Sequence, residues 1–369
     1  MKKDISSLEL YYFMKELQIL VDSKVDRVYH SKESPQELII GFHVTSVGKK
    51  FLIINLPGII YFDETKDEKD IPTGLCMMLR KYLEGGRLKS IKQKEFERAI
   101  EMEIQTKAET FRLIIELFSK GNIIFCSNDY TILNVLEEQE WKDRKIKRKE
   151  LYVFPISQAN VPKLTEKDFI SRLTDSGKES IVKALAISMS LGGTYAEELC
   201  TTSGVKHDSG ILSVTSKEYS SLYKNFLGLF NRDINANLSL SAIYPFVIKS
   251  SPPEKSYASF NDAIRENHES LKDFKDGVKS KQARDKIQKV IDEQSKLLEE
   301  TEQSYQDNQS KAEAIYSNYQ LIDEILKTIK SARKKYPLKE IKQKIKDDPR
   351  YGKIIKEITD TEIILEVEK

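Results

Sequence analysis

An α+β multidomain fold is predicted by three features of the 369-residue sequence. Short strand-like runs crowd the first 160 residues, a strand-free helical stretch follows, and from Ser259 the chain reads as a charged helix with a heptad stripe. These features divide the chain into a mixed, sandwich-like domain (1–160), a helical module (164–250) and a coiled-coil or middle region (255–369) that supplies half of a helix pair.

Each element has a local signal. Ser6-Ser7 can accept from free helix amides, and Leu10, Phe13, Met14, Leu17 and Leu20 then fall on one helical face. Strand-like runs follow at Glu37 to Phe42, Phe51 to Ile54 and Gly58 to Phe62. After a charged loop from Asp63 to Asp70, a helix is expected from Pro72 to Leu83, with the proline near its first turn. Four more strands are read at Leu88 to Gln93, Ala99 to Gln105, Phe111 to Leu117 and Asn122 to Cys126, with Gly121-Asn122 as a hairpin-type turn. From Leu164 to Phe230 short helical pieces are joined by glycine-containing turns. A strand-like stretch, Ala242 to Val247, and the linker Ser250-Ser251-Pro252-Pro253 close this module.

Neither Gly nor Pro interrupts Lys279 to Tyr336, so one continuous helix of roughly 80 Å is expected at about 1.5 Å per residue. Its seam runs through Ile287, Val290, Leu297, Tyr305, Ile315, Tyr319, Ile322, Leu326 and Ile329, diluted at Thr301 and Asn308. The remainder, Pro337 to Asp348 and a strand pair within Ile354 to Val367, holds no long partner helix. Self-association of two chains through the seam is therefore expected.

A net charge of +2 means that any nucleic-acid contact must come from local clusters. Cys76, Cys126 and Cys200 share no metal-ligand spacing and read as reduced thiols of a cytoplasmic protein. No apolar run approaches the roughly 20 residues of a membrane helix, and MKKDISSLEL lacks the apolar stretch of a signal peptide. His30, His43, His207 and His268 are scattered, and no phosphate-loop motif is present. No catalytic residue, metal or cofactor is expected.

Three stretches carry candidate chemistry. Between Arg80 and Arg98, the cations Arg80, Lys81, Arg87, Lys89, Lys92, Lys94 and Arg98 outnumber Glu84, Glu95 and Glu97. Strict alternation over the strand puts Lys89 toward solvent and Lys92 on the opposite face. With Tyr82 and Phe96 nearby, the segment suits phosphate contacts and base stacking on RNA; a solvated charged surface is the other reading. Within it, Glu97-Arg98 is either an exposed ion pair worth under about 1 kcal/mol or a carboxylate that orients a guanidinium. From Trp141 to Lys149, Arg144, Lys145, Lys147 and Arg148 can track a phosphate backbone, or the stretch is a mobile charged loop. At Leu191-Gly192-Gly193-Thr194, Gly192 and Gly193 allow amides to approach a phosphate, or merely connect two helices.

Taken together the motifs resemble the NFACT family of RqcH/NEMF-type ribosome-associated quality-control factors, also named fibronectin-binding protein A-like. IPTGLCMMLRKYLEGGRLKSIKQKEFERAI (71–100) is similar to the family's N-terminal segment, with its LRK, its RL and its Q followed by an acid-Arg pair. LIIELFSKGNIIFCSNDYTILNVL (113–136), LYVFP (151–155) and the start SSLELYYFMKEL with RVYH also fit. ALAISMSLGGTYAEELC (184–200) resembles its helix-hairpin-helix segment, and FNDAI at Phe260 the entry to its coiled coil.

The resemblance implies an N-terminal domain like that of formamidopyrimidine glycosylases, then a helix-hairpin-helix module and a coiled coil. It implies binding to a large ribosomal subunit obstructed by peptidyl-tRNA, and recruitment of tRNA (alanine tRNA in prokaryotes) for C-terminal tailing of the stalled chain. The ribosome supplies the peptide-bond chemistry. The family's acid in the first helix and its Asp-Arg pair match Glu9, Glu97 and Arg98, so both family aspartates are glutamates here, with a reach one methylene longer. Full-length members also carry a second coiled-coil helix and an NFACT-R domain, and neither is read in this sequence. Three rivals remain. Glycosylase chemistry lacks its N-terminal proline amine, since the chain begins Met1-Lys2-Lys3. A surface adhesin lacks a secretion signal. A general nucleic-acid binder or coiled-coil scaffold without a tailing role is the alternative function.

Overall fold

The computed structural model describes residues 4–45, 47–67, 71–141, 144–155, 160–240, 242–359 and 361–366, with the side chains of 274–283, 285 and 286 excepted. The chain divides into two compact units, Met1–Lys275 and Asp276–Lys369.

In the first unit, α1 (Ser7–Leu17) starts at a capping box: the Glu9 amide donates to Ser6 Oγ, and the Ser6 amide donates to Glu9 Oε2. Nine antiparallel strands follow: β1 (Lys24–Tyr29), β2 (Glu37–Val44), β3 (Gly48–Asn55), β4 (Ile59–Asp63), β5 (Arg87–Gln93), β6 (Ala99–Gln105), β7 (Thr110–Glu116), β8 (Asn122–Ser127) and β9 (Ile132–Val135). They form one sheet, in the order β4-β3-β2-β1-β5-β6-β7-β8-β9. β1 and β9 are additions to the strands read from sequence. The sandwich-like expectation takes an unexpected form: a single sheet has two halves joined at one pair, Lys24↔Arg87. Both halves feed the same core, Val28, Ile40 and Ile54 from one and Ile91, Met102 and Leu113 from the other.

α2 (Gly74–Leu83) begins at Thr73, whose hydroxyl accepts from the Cys76 amide. Pro72 therefore lies outside the helix, where it bridges to Ser31. A register shift between Leu88 and Ser90 breaks the alternation of β5. Leu88 and Ile91 are both buried and Lys89 and Lys92 both exposed, so the two lysines do not take opposite faces as expected. Two short strands, β10 (Gln139–Glu140) and β11 (Lys145–Ile146), pair antiparallel. Ile146 joins Ile114, Ile124, Cys126, Ile132 and Tyr152 in a separate apolar cluster.

The strand texture stops at α3 (Glu166–Thr174), α4 (Ile181–Ser188), α5 (Gly192–Ser203) and α6 (Ser216–Leu229). These pack around Phe169, Leu185, Tyr195, Leu222 and Phe226, and α1 adds Leu8 and Tyr12 to this cluster. Since Leu10, Phe13 and Leu17 enter the sheet core, α1 is buried on two sides. A small sheet of β12 (Asn237–Ser239), β13 (Ala242–Tyr244) and β14 (Lys255–Ser256) follows. The expected linker is partly structural: Ser251 is buried and shares a 2.7 Å hydrogen bond with Ser239. α7 (Phe260–Ser317) is held at its start by Glu16 of α1, which accepts from the Phe260 and Asn261 amides, each at 2.8 Å.

The second unit continues α7 and adds α8 (Tyr319–Arg333), α9 (Leu338–Lys346) and a hairpin of β15 (Ile355–Ile358) and β16 (Ile363–Leu365). Val367, the last residue of the expected strand pair, lies outside the described residues. The expected continuity through Lys279 to Tyr336 fails at Asn318 (φ −109°, ψ 23°), whose side chain donates to the Ala314 carbonyl at 3.0 Å. Beyond the break, Ile325 and Ile329 pack with Ile355 and Ile358. Leu326, assigned to the seam, stays 47 % exposed, while Ile325 is buried. Along α7, Ile287, Val290, Leu297, Tyr305 and Ile315 are exposed. Among the described residues no helix is long and apolar enough to cross a membrane.

Candidate nucleic-acid interface

The first turn of α1 joins the predicted residues that come together. Glu9 is wholly buried, and its Oε1 accepts from the Tyr195 hydroxyl at 2.7 Å. Burial, with Glu9 adding to it, pushes the Tyr195 hydroxyl well above its usual range, so it stays a donor. Glu9 thus ties α1 to α5. Three residues before Tyr195, α5 opens at Gly192 (φ +72°), followed by Gly193, with open space beside both α-carbons and no side chain capping the helix. The positive φ suits glycine there.

On the other side of α1, Gln93 Nε2 donates to the carbonyls of Ser7 and Glu97, both at 3.0 Å. This pins the β5–β6 turn, in which Glu95 has φ +52°. Phe96 of that turn is buried against Phe230, and Tyr82 packs against Phe111 and Phe125. Phe96 is thus withdrawn into the helical core, while Tyr82 stays half-buried against the sheet core. Burial, then neighbouring Glu95, push the Glu97 carboxyl above its usual range, against the opposing pull of Arg98. A recess beside the turn is lined by Lys94, Glu97 and Phe154, with the Lys94 ammonium 4.3 Å from the Phe154 ring centre.

The cations divide by what they already hold. Arg80 donates to the Val28 carbonyl at 2.7 Å and lies over Tyr29. Lys81 lies over Tyr82, Arg87 donates to the Asp22 carbonyl, and Lys89 pairs with Asp22 at 3.3 Å. Arg144 is a structural residue: it pairs with buried Glu116, donates to the Val153 carbonyl and lies over Tyr152. Glu116 also accepts from the Tyr152 hydroxyl. Lys145 and Lys147 both pair with Glu140. Lys142 and Asp143 of the same run lie outside the described residues. Among the described residues, Lys92, Arg98 and Arg148 meet no hydrogen-bond or ion-pair partner, and Glu97 and Arg98 form no ion pair with each other. These three cations are open to an anion.

Two features escaped the sequence reading. Glu198 is wholly buried, paired with Arg232 at 3.3 Å and accepting from the Lys249 amide at 2.9 Å; nothing in its local pattern signals this. Residues 327–356 carry 12 Lys/Arg against three Asp/Glu. Counting charge over a longer window than the nine residues of Trp141 to Lys149 would have found it. The three thiols are buried, and burial pushes Cys126 up to about 12 and Cys200 up to about 11. Among the described residues no group of three or more His, Cys, Asp or Glu is placed to hold a metal.

A family model described as NFACT N-terminal and middle domains matches residues 6–348. The archaeal Rqc2 homolog aRqcH of Methanocaldococcus jannaschii is 29% identical over 377 residues, covering 94% of this chain and 55% of that protein. The ribosome quality control complex subunit NEMF of Homo sapiens is 25% identical, over 71% of this chain and 28% of its own. The chain thus spans about half the length of the first relative and about a quarter of the second. Among solved structures, the N-terminal part of the fibronectin/fibrinogen-binding protein from Streptococcus suis superposes with a TM-score of 0.59 at 18% identity, covering 72% of this chain and 100% of that one. At that identity the likeness shows shared fold alone. The match across residues 6–348 places the chain in the NFACT family, of which it carries the N-terminal and middle domains.

Proposed function

We propose that this chain acts in ribosome-associated quality control. In this reading it binds a large ribosomal subunit obstructed by peptidyl-tRNA and recruits a tRNA, alanine tRNA by family analogy, for C-terminal tailing of the stalled chain. Family membership over residues 6–348 carries the reading. The convergence of the Glu97-Arg98 turn and the opening of α5 on the first turn of α1 supports it. Arg98, Lys92 and Arg148 supply phosphate contacts. Gly192 and Gly193 present backbone amides in a helix-hairpin-helix manner, and Glu9 sets the spacing between the two parts. The chain itself makes no bond; the peptide-bond chemistry is the ribosome's, and the setting is cytoplasmic. The functional divisions are 1–160, 164–250 and 255–369, the last acting as coiled coil and able to self-associate through the exposed α7 part of its seam.

The test is co-sedimentation with purified large ribosomal subunits, with and without bound peptidyl-tRNA, over a salt series. Preferential binding to the tRNA-carrying subunits is expected. Arg98→Ala should weaken it by roughly fivefold and flatten the salt dependence by about one charge. Absence of binding at low salt, or binding indifferent to Arg98, overturns the reading. An indifferent Arg98 with intact coiled-coil pairing would favour a scaffold.

A further inference from the structure

Arg98 leaves the backbone between two peptide planes that are both held. Its own carbonyl accepts from the Leu117 amide at 2.7 Å. The preceding carbonyl, that of Glu97, shares a plane with the Arg98 amide and accepts from Gln93 Nε2 at 3.0 Å. The same nitrogen donates to the Ser7 carbonyl in the first turn of α1, also at 3.0 Å. Two carbonyl acceptors fix which end of the carboxamide is nitrogen. Gln93 Oε1 then points the other way, buried and without a donor among the described residues.

The β5–β6 turn does not need Gln93 for its own shape. The Lys94 amide donates to the Ala99 carbonyl at 2.8 Å and the Glu97 amide to the Lys94 carbonyl at 3.0 Å, which closes the turn internally. Phe96 seats it in the helical core, but apolar packing carries little direction. Two hydrogen bonds set against a buried orphan oxygen leave Gln93 little net stability to contribute. What the side chain adds is a directional tie between the Arg98 backbone and α1, and Glu9 with Tyr195 extends that tie to the opening of α5. We propose that Gln93 is a positioning residue for RNA binding. It holds the Arg98 guanidinium, which meets no partner among the described residues, at a set place relative to α1 and α5, so that one run of phosphates meets Arg98 and the α5 amides together. The inference rests on the ribosomal reading above.

The test repeats the co-sedimentation salt series on the full chain carrying Gln93→Met, alone and combined with Arg98→Ala. Methionine keeps the length of the side chain and removes its donors. The substitution removes no charge, yet it should weaken binding to the tRNA-carrying large subunits by roughly fivefold and flatten the salt dependence by about one charge, as Arg98→Ala does. The double variant should bind no more weakly than either single one, with the thermal melt in place. Gln93→Leu, a second donor-free side chain, repeats the series should methionine lower the melt. A melt lowered by both substitutions assigns Gln93 a structural role and overturns the inference. If Arg98→Ala weakens binding while Gln93→Met leaves affinity and slope unchanged, the inference is overturned and the ribosomal reading stands. Effects that multiply in the double variant have the same meaning. If Arg98→Ala leaves the binding of the natural chain unaltered, the ribosomal reading fails and the inference falls with it.

Discussion

Glu9 accepts from the Ser6 amide on its own helix and from the Tyr195 hydroxyl 186 residues away. Glu9→Ala leaves the buried Tyr195 hydroxyl and the half-buried Ser6 amide without this acceptor and is expected to destabilise the chain by roughly 2–4 kcal/mol, read by urea denaturation. An unchanged midpoint would return Glu9 to the role of a contact residue. The Ser6-x-x-Glu9 half of this arrangement is legible in the sequence as a capping box. The Tyr195 half is not, since nothing local connects the two positions. Glu97-Arg98 was legible as a pair of neighbours, but the burial that separates their roles came from Phe96 entering the helical core. Glu16 makes a second residue-level prediction. Burial holds its carboxyl above the usual range despite the amides of Phe260 and Asn261, with Asp262 adding to the shift. The folded chain therefore binds that proton more tightly than the unfolded chain, and ionisation costs stability as pH rises above the ordinary carboxylate range. Glu16→Gln removes this titration. Relative to the glutamine variant, the natural chain should be less stable at about pH 7 than at about pH 5. A stability difference that does not move with pH contradicts the assignment.

At the level of elements, strands with clear alternation or unbroken apolar runs were legible from sequence, and β1 was not. Its KVDRVY pattern interleaves charge with a bulge between Val25 and Arg27. The same physics misplaced Lys92: a bulge adds a residue, and every side chain beyond it changes face. In the long helix the heptad count carried the seam straight through Asn318, because no Gly or Pro marks the break. The consequence is measurable. Ile325→Ala should cost about 2–4 kcal/mol, whereas Leu326→Ala should stay within about 0.5 kcal/mol. Denaturant titrations that reverse this order would restore the uninterrupted seam.

Across the whole molecule, each unit has its own core: an extensive one within Met1–Lys275, and a small isoleucine cluster within Asp276–Lys369. Thermal unfolding should therefore resolve into two transitions, and Ile325→Ala should lower only one of them. A single cooperative transition that shifts as a whole would show that the units unfold together. The net charge of +2 conceals a comparable division, because outside residues 327–356 acids outnumber bases. Bulk composition thus excluded little, and only a windowed count recovers the distribution.

The three cysteines bear on how the molecule can be observed. With every thiol buried, and two held at about 11 and about 12, the folded chain presents little thiolate to a maleimide at neutral pH. A cysteine placed at exposed Ser304 of α7 would then be the preferred handle for a fluorophore. The natural chain is thus already suited to single-site distance measurements, with no need to strip its own cysteines first.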